Sequence, residues 1–418
     1  MKVVTLNKIA LALVLFIPWT ALSREYTHRE WIEAFRERNL ESKEELLKLY
    51  QSRENINISL GRIVPSLNIG TVVDTALSGP LGLLSGLSNF VGFLLPSRWY
   101  QWNESKMFYN SQKLSYMVLK GDYALMSEEL YLALKKQYLT ANVFHNLIEE
   151  LEPLVKSINF RERIGELPKG SYARVKSKLY TLQSDLVQYE MLIQSILIEL
   201  NKAIADDSFS ELTSIELAPR NSMGEDPRWN WQWLKDNLLE IKSIDTMVKA
   251  SELSIRSRTW SWLDPASDGF GLGYFATKRI STFKRDQIKL KRDRMLLKFK
   301  ANFLNINSTL NKRLEQEKLL RKAVNLSGGR KQQILTDYRL TGEMDADDYI
   351  ETIDNYLGFR IREISNGVEL EYLEAQKDRL LFRNFYDGLE AFVPRREANR
   401  LNRYQRKEDR IVDFHMED

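Results

Sequence analysis

No cysteine occurs in the chain. That excludes disulfide frameworks, thiolate metal sites, cysteine nucleophiles and lipid attachment through an N-terminal cysteine. Histidine is nearly as scarce: His28, His145 and His415 are scattered, with no partner at metal-ligand spacing. Nor is there a surplus of one charge. Basic residues number 61 against 57 acidic ones, for a net of +4, which gives no basic face built for nucleic acid. Phosphate-binding signatures are missing too. Gly269-x-Gly271-x-Gly273 lacks the phosphate-loop spacing, and no Gly-Lys-Ser/Thr follows it. Ser327-Gly328-Gly329-Arg330-Lys331 reads as an interruption within a helix, not an anion site. No base or nucleophile accompanies Asp347, Asp348 and Glu351, so the chain reads as a non-enzyme with no cofactor.

What is present begins with an export signal. Lys2 and Lys8 form a basic start, residues 9–17 are apolar, and Ala21-Leu22-Ser23 supplies small residues where a signal peptidase reads. The apolar run is shorter than the roughly 20 residues that span a bilayer. Residues 1–23 are therefore expected to be a signal peptide, with the mature protein outside the cytoplasm.

Four long stretches then read as helix. Residues 103–160 hold one proline, Pro153, and one glycine, Gly121, and Leu125, Leu132 and Leu139 recur every seven residues. Such a helix would run on the order of 85 Å at 1.5 Å per residue. Residues 171–204 follow after a break at Leu167-Pro168-Lys169-Gly170. The pattern recurs as 279–338, a break around Gly342, and 347–392. Shorter helical segments, 27–58 and 231–258, precede each pair. Alternating residues from Leu67 to Val73, then an uncharged, glycine-rich stretch to Ser97, give an expected β segment at 64–95. Phe270, Leu272 and Tyr274 alternating with glycines give another at 268–276.

The chain thus divides into a first hairpin repeat at 24–204, a polar connector at 205–228, a second repeat at 229–392 and a charged, disordered tail at 393–418. Four landmarks recur in order. Gly165-Glu166-Leu167 precedes Tyr172 as Gly342-Glu343-Met344 precedes Tyr349. Asn39-Leu40-Glu41 leads to Pro65 as Asn237-Leu238-Leu239-Glu240 leads to Pro265. The expected fold class is mainly α: two tandem repeats of long antiparallel, coiled-coil-like helical hairpins with short β segments.

That order resembles the bacterial outer-membrane efflux proteins of the TolC family. The run Tyr338-Arg339-Leu340-Thr341-Gly342-Glu343, continuing through Asp348, Tyr349 and Ile353, looks like the family's turn at the periplasmic tip of its second hairpin. The resemblance implies a homotrimer whose hairpins close into a periplasmic tunnel on an outer-membrane β-barrel. It further implies partnership with a periplasmic adaptor protein and an inner-membrane transporter, for efflux or type I secretion. Asp348 and Glu351 would then ring the tip and favour cations, with Arg174 of the first hairpin able to pair with Glu351 across it. As a plain helix start, the same acids would simply complement the helix dipole.

Departures from the family bear on the barrel. The second repeat offers one short strand before Lys278, Arg279, Lys284 and Arg285 intervene, so fewer than four spanning strands per subunit are expected. Trp99, Tyr100, Trp102, Trp260 and Trp262 flank the β segments and suit either a membrane-interface belt contacting outer-membrane lipid or ordinary packing. Two alternatives stand beside the channel: a periplasmic or surface coiled-coil scaffold without a spanning barrel, and a helical pore-forming protein inserting residues 75–97.

Overall fold

The computed structural model describes residues 28, 31, 32, 35, 39–63, 95–204, 226–263 and 272–383. Regular structure among them is helical throughout: α1 Leu40–Gly61, α2 Pro96–Arg163, α3 Ser171–Ile204, α4 Trp231–Asn237, α5 Leu239–Trp260, a 3-10 turn at Ser261–Leu263, α6 Leu272–Thr341 and α7 Ala346–Leu381. None of these helices is long and apolar enough to cross a membrane. The duplication shows in their lengths. α1 and α5 have 22 residues each, α2 and α6 have 68 and 70, and α3 and α7 have 34 and 36. Both short segments also break at matching points, Asn39 ahead of Leu40-Glu41 and Leu238 ahead of Leu239-Glu240. Pro96 opens α2 at the first helical position, where its missing N–H leaves no bond unmade.

Several expectations change. Residues 272–276 are helix, not strand. Three alternating apolar residues are a short pattern, and a long proline-free helix propagates over such a neighbour one bond per residue. Gly328-Gly329 lies inside α6 without interrupting it. α7 ends at Leu381, well before residue 392, where Phe382 turns to φ 51° and leaves helical geometry. Residues 1–23, 64–94, 205–225, 268–271 and 393–418 lie outside the described residues, and with them the expected signal peptide, nearly all of the first expected β segment, the first four residues of the second, most of the connector and the tail.

The chain divides into two compact units. The first takes residues 1–39, 126–222 and 311–374. In it α2 and α3 run antiparallel: the rings of Phe144 and Tyr189 lie 5.2 Å apart, and Glu162 meets the backbone of Tyr172 at the turn. α2 and α6 run parallel, joined by Lys331–Glu150 at 2.6 Å and Ser157–Tyr338 at 2.8 Å, two pairs with the same sequence separation of 181. Leu151, Ile158, Val175, Leu182, Tyr349 and Ile353 form the centre of its core, each fully buried. Removing an aliphatic side chain from such a position costs about 2–5 kcal/mol. The helical residues before α1 dock on the same unit. Trp31 is buried and donates its indole N–H to the Ser127 carbonyl at 3.4 Å, and His28 stacks on Tyr131 beside buried Glu128.

The second unit takes residues 40–125, 223–310 and 375–418. Small residues let α2 and α5 approach: the hydroxyls of Ser111 and Ser243 each donate to the other's carbonyl, at 2.9 and 3.0 Å. Arg379 is buried against Asp122 at 2.9 Å and Glu240 at 2.8 Å. It fits because residue 121 is glycine; a Cβ there would meet its Nε at 2.7 Å. Trp229 and Trp231 pack on Phe303, and the Trp229 indole donates to Asn307 at 2.6 Å.

Candidate functional site

The first unit brings both glycine turns together. Gly165 and Gly342 have φ of +84° and +80°, a region that only glycine enters cheaply. Their surroundings differ. At Gly165 the Glu166 N–H bonds back to the Arg161 carbonyl at 2.9 Å and the Gly165 N–H to Glu162 at 3.2 Å, the paired bonds of a Schellman cap. At Gly342 a single bond runs from its N–H to the Tyr338 carbonyl at 2.9 Å, the simpler left-handed cap.

The partner helices start differently as well. Asp345 caps α7 itself, its carboxylate accepting from the Asp347 N–H at 2.9 Å. α3 has Pro168 at the corresponding place and is capped from the helix before it. The Glu162 carboxylate accepts from the Gly170 N–H at 2.9 Å and the Tyr172 N–H at 2.7 Å. Those two donors favour its charged form and lower its pKa.

Charge pairs then tie the hairpins side by side. Arg174 pairs with Asp347, not with Glu351, and Lys178 pairs with Asp354. Asp348 is held by Arg330 at 2.9 Å. Glu351 is exposed and forms no ion pair among the described residues. The difference follows from register: α3 and α7 lie parallel with a sequence separation of 173 to 176, which puts Asp347 opposite Arg174. Glu166 and Glu343 are exposed, and together with Leu167, Arg174 and Asp345 they border an open cleft of about 560 Å³. Arg161 lies 4.9 Å over the Tyr338 ring, and its guanidinium also occupies the space where a side chain on Gly342 would go. Among the described residues no group of three or more His, Asp or Glu side chains could hold a metal ion.

Sequence reasoning located the glycine turns and missed what surrounds them. Glu162, Arg161, Arg330 and Lys331 carry no local signal, because each acts on a residue in another helix or at the far side of a turn. The aromatic candidates belong to the second unit. Trp99 and Trp102 pack edge to face at 5.7 Å, with the Lys106 ammonium 3.0 Å over the Trp102 ring, and Tyr100 is half-buried. Trp260 and Trp262 are 41% and 46% exposed.

No protein-family model matches the sequence, and no curated protein is detectably similar. Solved structures are. A membrane protein from Pseudomonas aeruginosa superposes with a TM-score of 0.70 over 85% of this chain and 90% of its own, at 11% identity. The outer-membrane channel OprN gives 0.69 over 86% and 90%, at 12% identity. The Campylobacter jejuni CmeC outer membrane channel gives 0.67 over 92% and 90%, at 11% identity. The chain has the fold of the OprN and CmeC outer-membrane channels. Within the outer-membrane channel fold, the glycine turns are the ends of two duplicated hairpins, and the acidic cleft lies where those hairpins meet.

Proposed function

We propose that the protein is a subunit of a trimeric export tunnel, non-enzymatic, acting at the outer membrane with a periplasmic adaptor and an inner-membrane transporter in efflux or type I secretion. The observation that carries this reading is the likeness to the outer-membrane channels OprN and CmeC over 86% and 92% of the chain. Two exposed apolar seams support assembly. In the first unit α3 exposes Tyr180, Val187, Met191 and Ile198, and α6 exposes Leu319, Leu326 and Leu340, at seven-residue or related spacings. Stripes of this kind match the seam of a coiled coil and leave apolar surface for a neighbouring copy. Light scattering of detergent-purified protein should return three times the mass of one chain, and Val187→Asp with Leu326→Asp should reduce it to one. A monomeric unmodified protein would sink the trimer.

Within such a tunnel the acidic ring narrows to Glu351, since Arg330 offsets Asp348. Cation selectivity of the reconstituted channel should therefore fall more in Glu351→Gln than in Asp348→Asn.

One length favours the scaffold reading at the membrane end. The 3-10 turn ends at Leu263 and α6 starts at Leu272, leaving residues 264–271 between them. A spanning strand needs about 9–11 residues, more than the eight between these two elements. A chaotropic wash of cell envelopes separates the readings: release into the wash favours a scaffold, and retention until detergent is added favours a channel. Trp260 and Trp262 would contact lipid only in the second case.

A further inference from the structure

The two long helices of the first unit are each weakened at one place, and the places correspond. In α2, Pro153 sits inside the helix. It has no N–H for the Glu149 carbonyl, and its ring crowds that carbonyl. In α6, Gly328 and Gly329 follow Ser327, whose hydroxyl turns back onto the carbonyls of Ala323 at 2.8 Å and Val324 at 3.2 Å. Counted back from the tip glycines, Pro153 lies twelve residues before Gly165 and Gly329 thirteen before Gly342. Packing accounts for Gly328, since a Cβ there would meet the Tyr356 ring at 3.3 Å. It does not account for Gly329, which faces open space. A glycine in an exposed helix interior loosens the helix relative to alanine.

A single ion pair spans the two weak places. Lys331 reaches from α6 to Glu150 of α2 at 2.6 Å, with the lysine side chain 11% exposed and the carboxylate 30%. The ammonium also lies 4.8 Å over the ring of Tyr356, the residue that packs on Gly328. Tipward of this pair the two helices are bonded to one another again, by Ser157 with Tyr338 and by Arg161 over the same ring. In the register set by these pairs the two weak places are staggered by about one and a half turns, with the Glu150–Lys331 bridge between them, and the ends of α2 and α6 are held as one piece beyond both.

We propose that Pro153 and Gly328-Gly329 form a paired joint about which this end of the unit bends, and that the Glu150–Lys331 bridge latches the joint straight. The joint is a property of the fold and stands apart from the channel reading. Hydrogen–deuterium exchange on the full-length protein tests it. Amides of 150–157 and 327–333 should exchange at least about tenfold faster than those of 140–148 and 314–322, respectively, each comparison being made within one helix. Lys331→Met keeps the aliphatic stem over Tyr356 and removes the charge; it should speed exchange in both soft segments and leave the flanks unchanged. Gly329→Ala, which adds no clash, should slow exchange at 327–333 by about two- to five-fold. Uniform protection along both helices of the unmodified protein would overturn the joint. A Lys331→Met effect confined to α6 would overturn the latch.

Discussion

The two glycine turns share a residue, a backbone angle and a place in the repeat, yet they are held by opposite means. The first is closed by its own chain: a Schellman cap at Gly165, and Glu162 reaching over the turn to the start of α3. Gly165 has nothing within 4 Å of where a Cβ would stand. The second is shorter, has a single cap bond and its own Asp345 N-cap, and is packed upon from outside. Arg161 of the first hairpin fills the space over Gly342, and Tyr349 at the start of α7 is fully buried. Its counterpart Tyr172 is half-buried, its hydroxyl accepting from Lys176 at 2.8 Å. Duplicated sequence has therefore diverged into one tip stabilised locally and one stabilised by its neighbour.

The tyrosine pair gives the largest expected contrast. Tyr349→Ala should cost about 3–5 kcal/mol, as for other large buried aromatics, and Tyr172→Ala less than half as much. Equal losses would mean the tips are not packed differently. Tyr349 also carries a buried hydroxyl with no hydrogen-bond partner among the described residues, and burial raises its pKa. An unsatisfied buried group of this kind costs roughly 1–3 kcal/mol. Tyr349→Phe should accordingly be neutral or stabilising by about 1 kcal/mol, while Tyr172→Phe gains nothing. Amide exchange within the first turns of α3 and α7 reads both comparisons locally, without requiring two-state unfolding of a large chain.

The glycines themselves sharpen the contrast at a smaller scale. Gly165→Ala meets only the backbone penalty for a positive φ, about 1–2 kcal/mol. Gly342→Ala meets the same penalty and must also displace Arg161 from its position over Tyr338. The second substitution should therefore be the more damaging, and Arg161→Ala should bring the two substitutions level. If Gly342→Ala is equally costly without Arg161, the outside packing contributes nothing.

How much of this was legible in the sequence depends on distance along the chain. Helix periodicity and the Gly-Glu landmarks located α2, α3, α6 and α7 and both turns, because those signals repeat within a few residues. The parallel register of α3 and α7 was not legible, so Arg174 was matched with Glu351 when its partner is Asp347. Glu162 was overlooked because it caps a helix eight to ten residues ahead, outside the three-residue spacing of a capping box. The glycine alternation up to Tyr274 suggested a strand, but of its glycines only Gly273 falls within the helix, in its first turn. Gly328-Gly329 was read as an interruption, although Tyr356 packs against it and the helix continues.

Glu162 supplies the smallest effect and the one most specific to the first tip. Backbone N–H groups of Gly170 and Tyr172 lower its pKa in the folded protein below the roughly 4.3 of an unfolded glutamate. A depressed carboxylate contributes its stability in full above the unfolded value and loses it as the pH falls through the folded one. Acidification from pH 6 to pH 3 should therefore loosen residues 164–172, measured as protection factors corrected for intrinsic exchange. Glu162→Gln should loosen the turn already at pH 6 and flatten the dependence on pH. The second tip is built differently: Arg339 stands where Glu162 would be, counting back from the tip glycine, so no carboxylate of the preceding helix reaches across that turn, and Asp345 caps α7 from within. If Glu162→Gln retains the full pH response at 164–172, some other acid closes the first turn, and the division between a self-closed and a neighbour-packed tip loses its chemical basis.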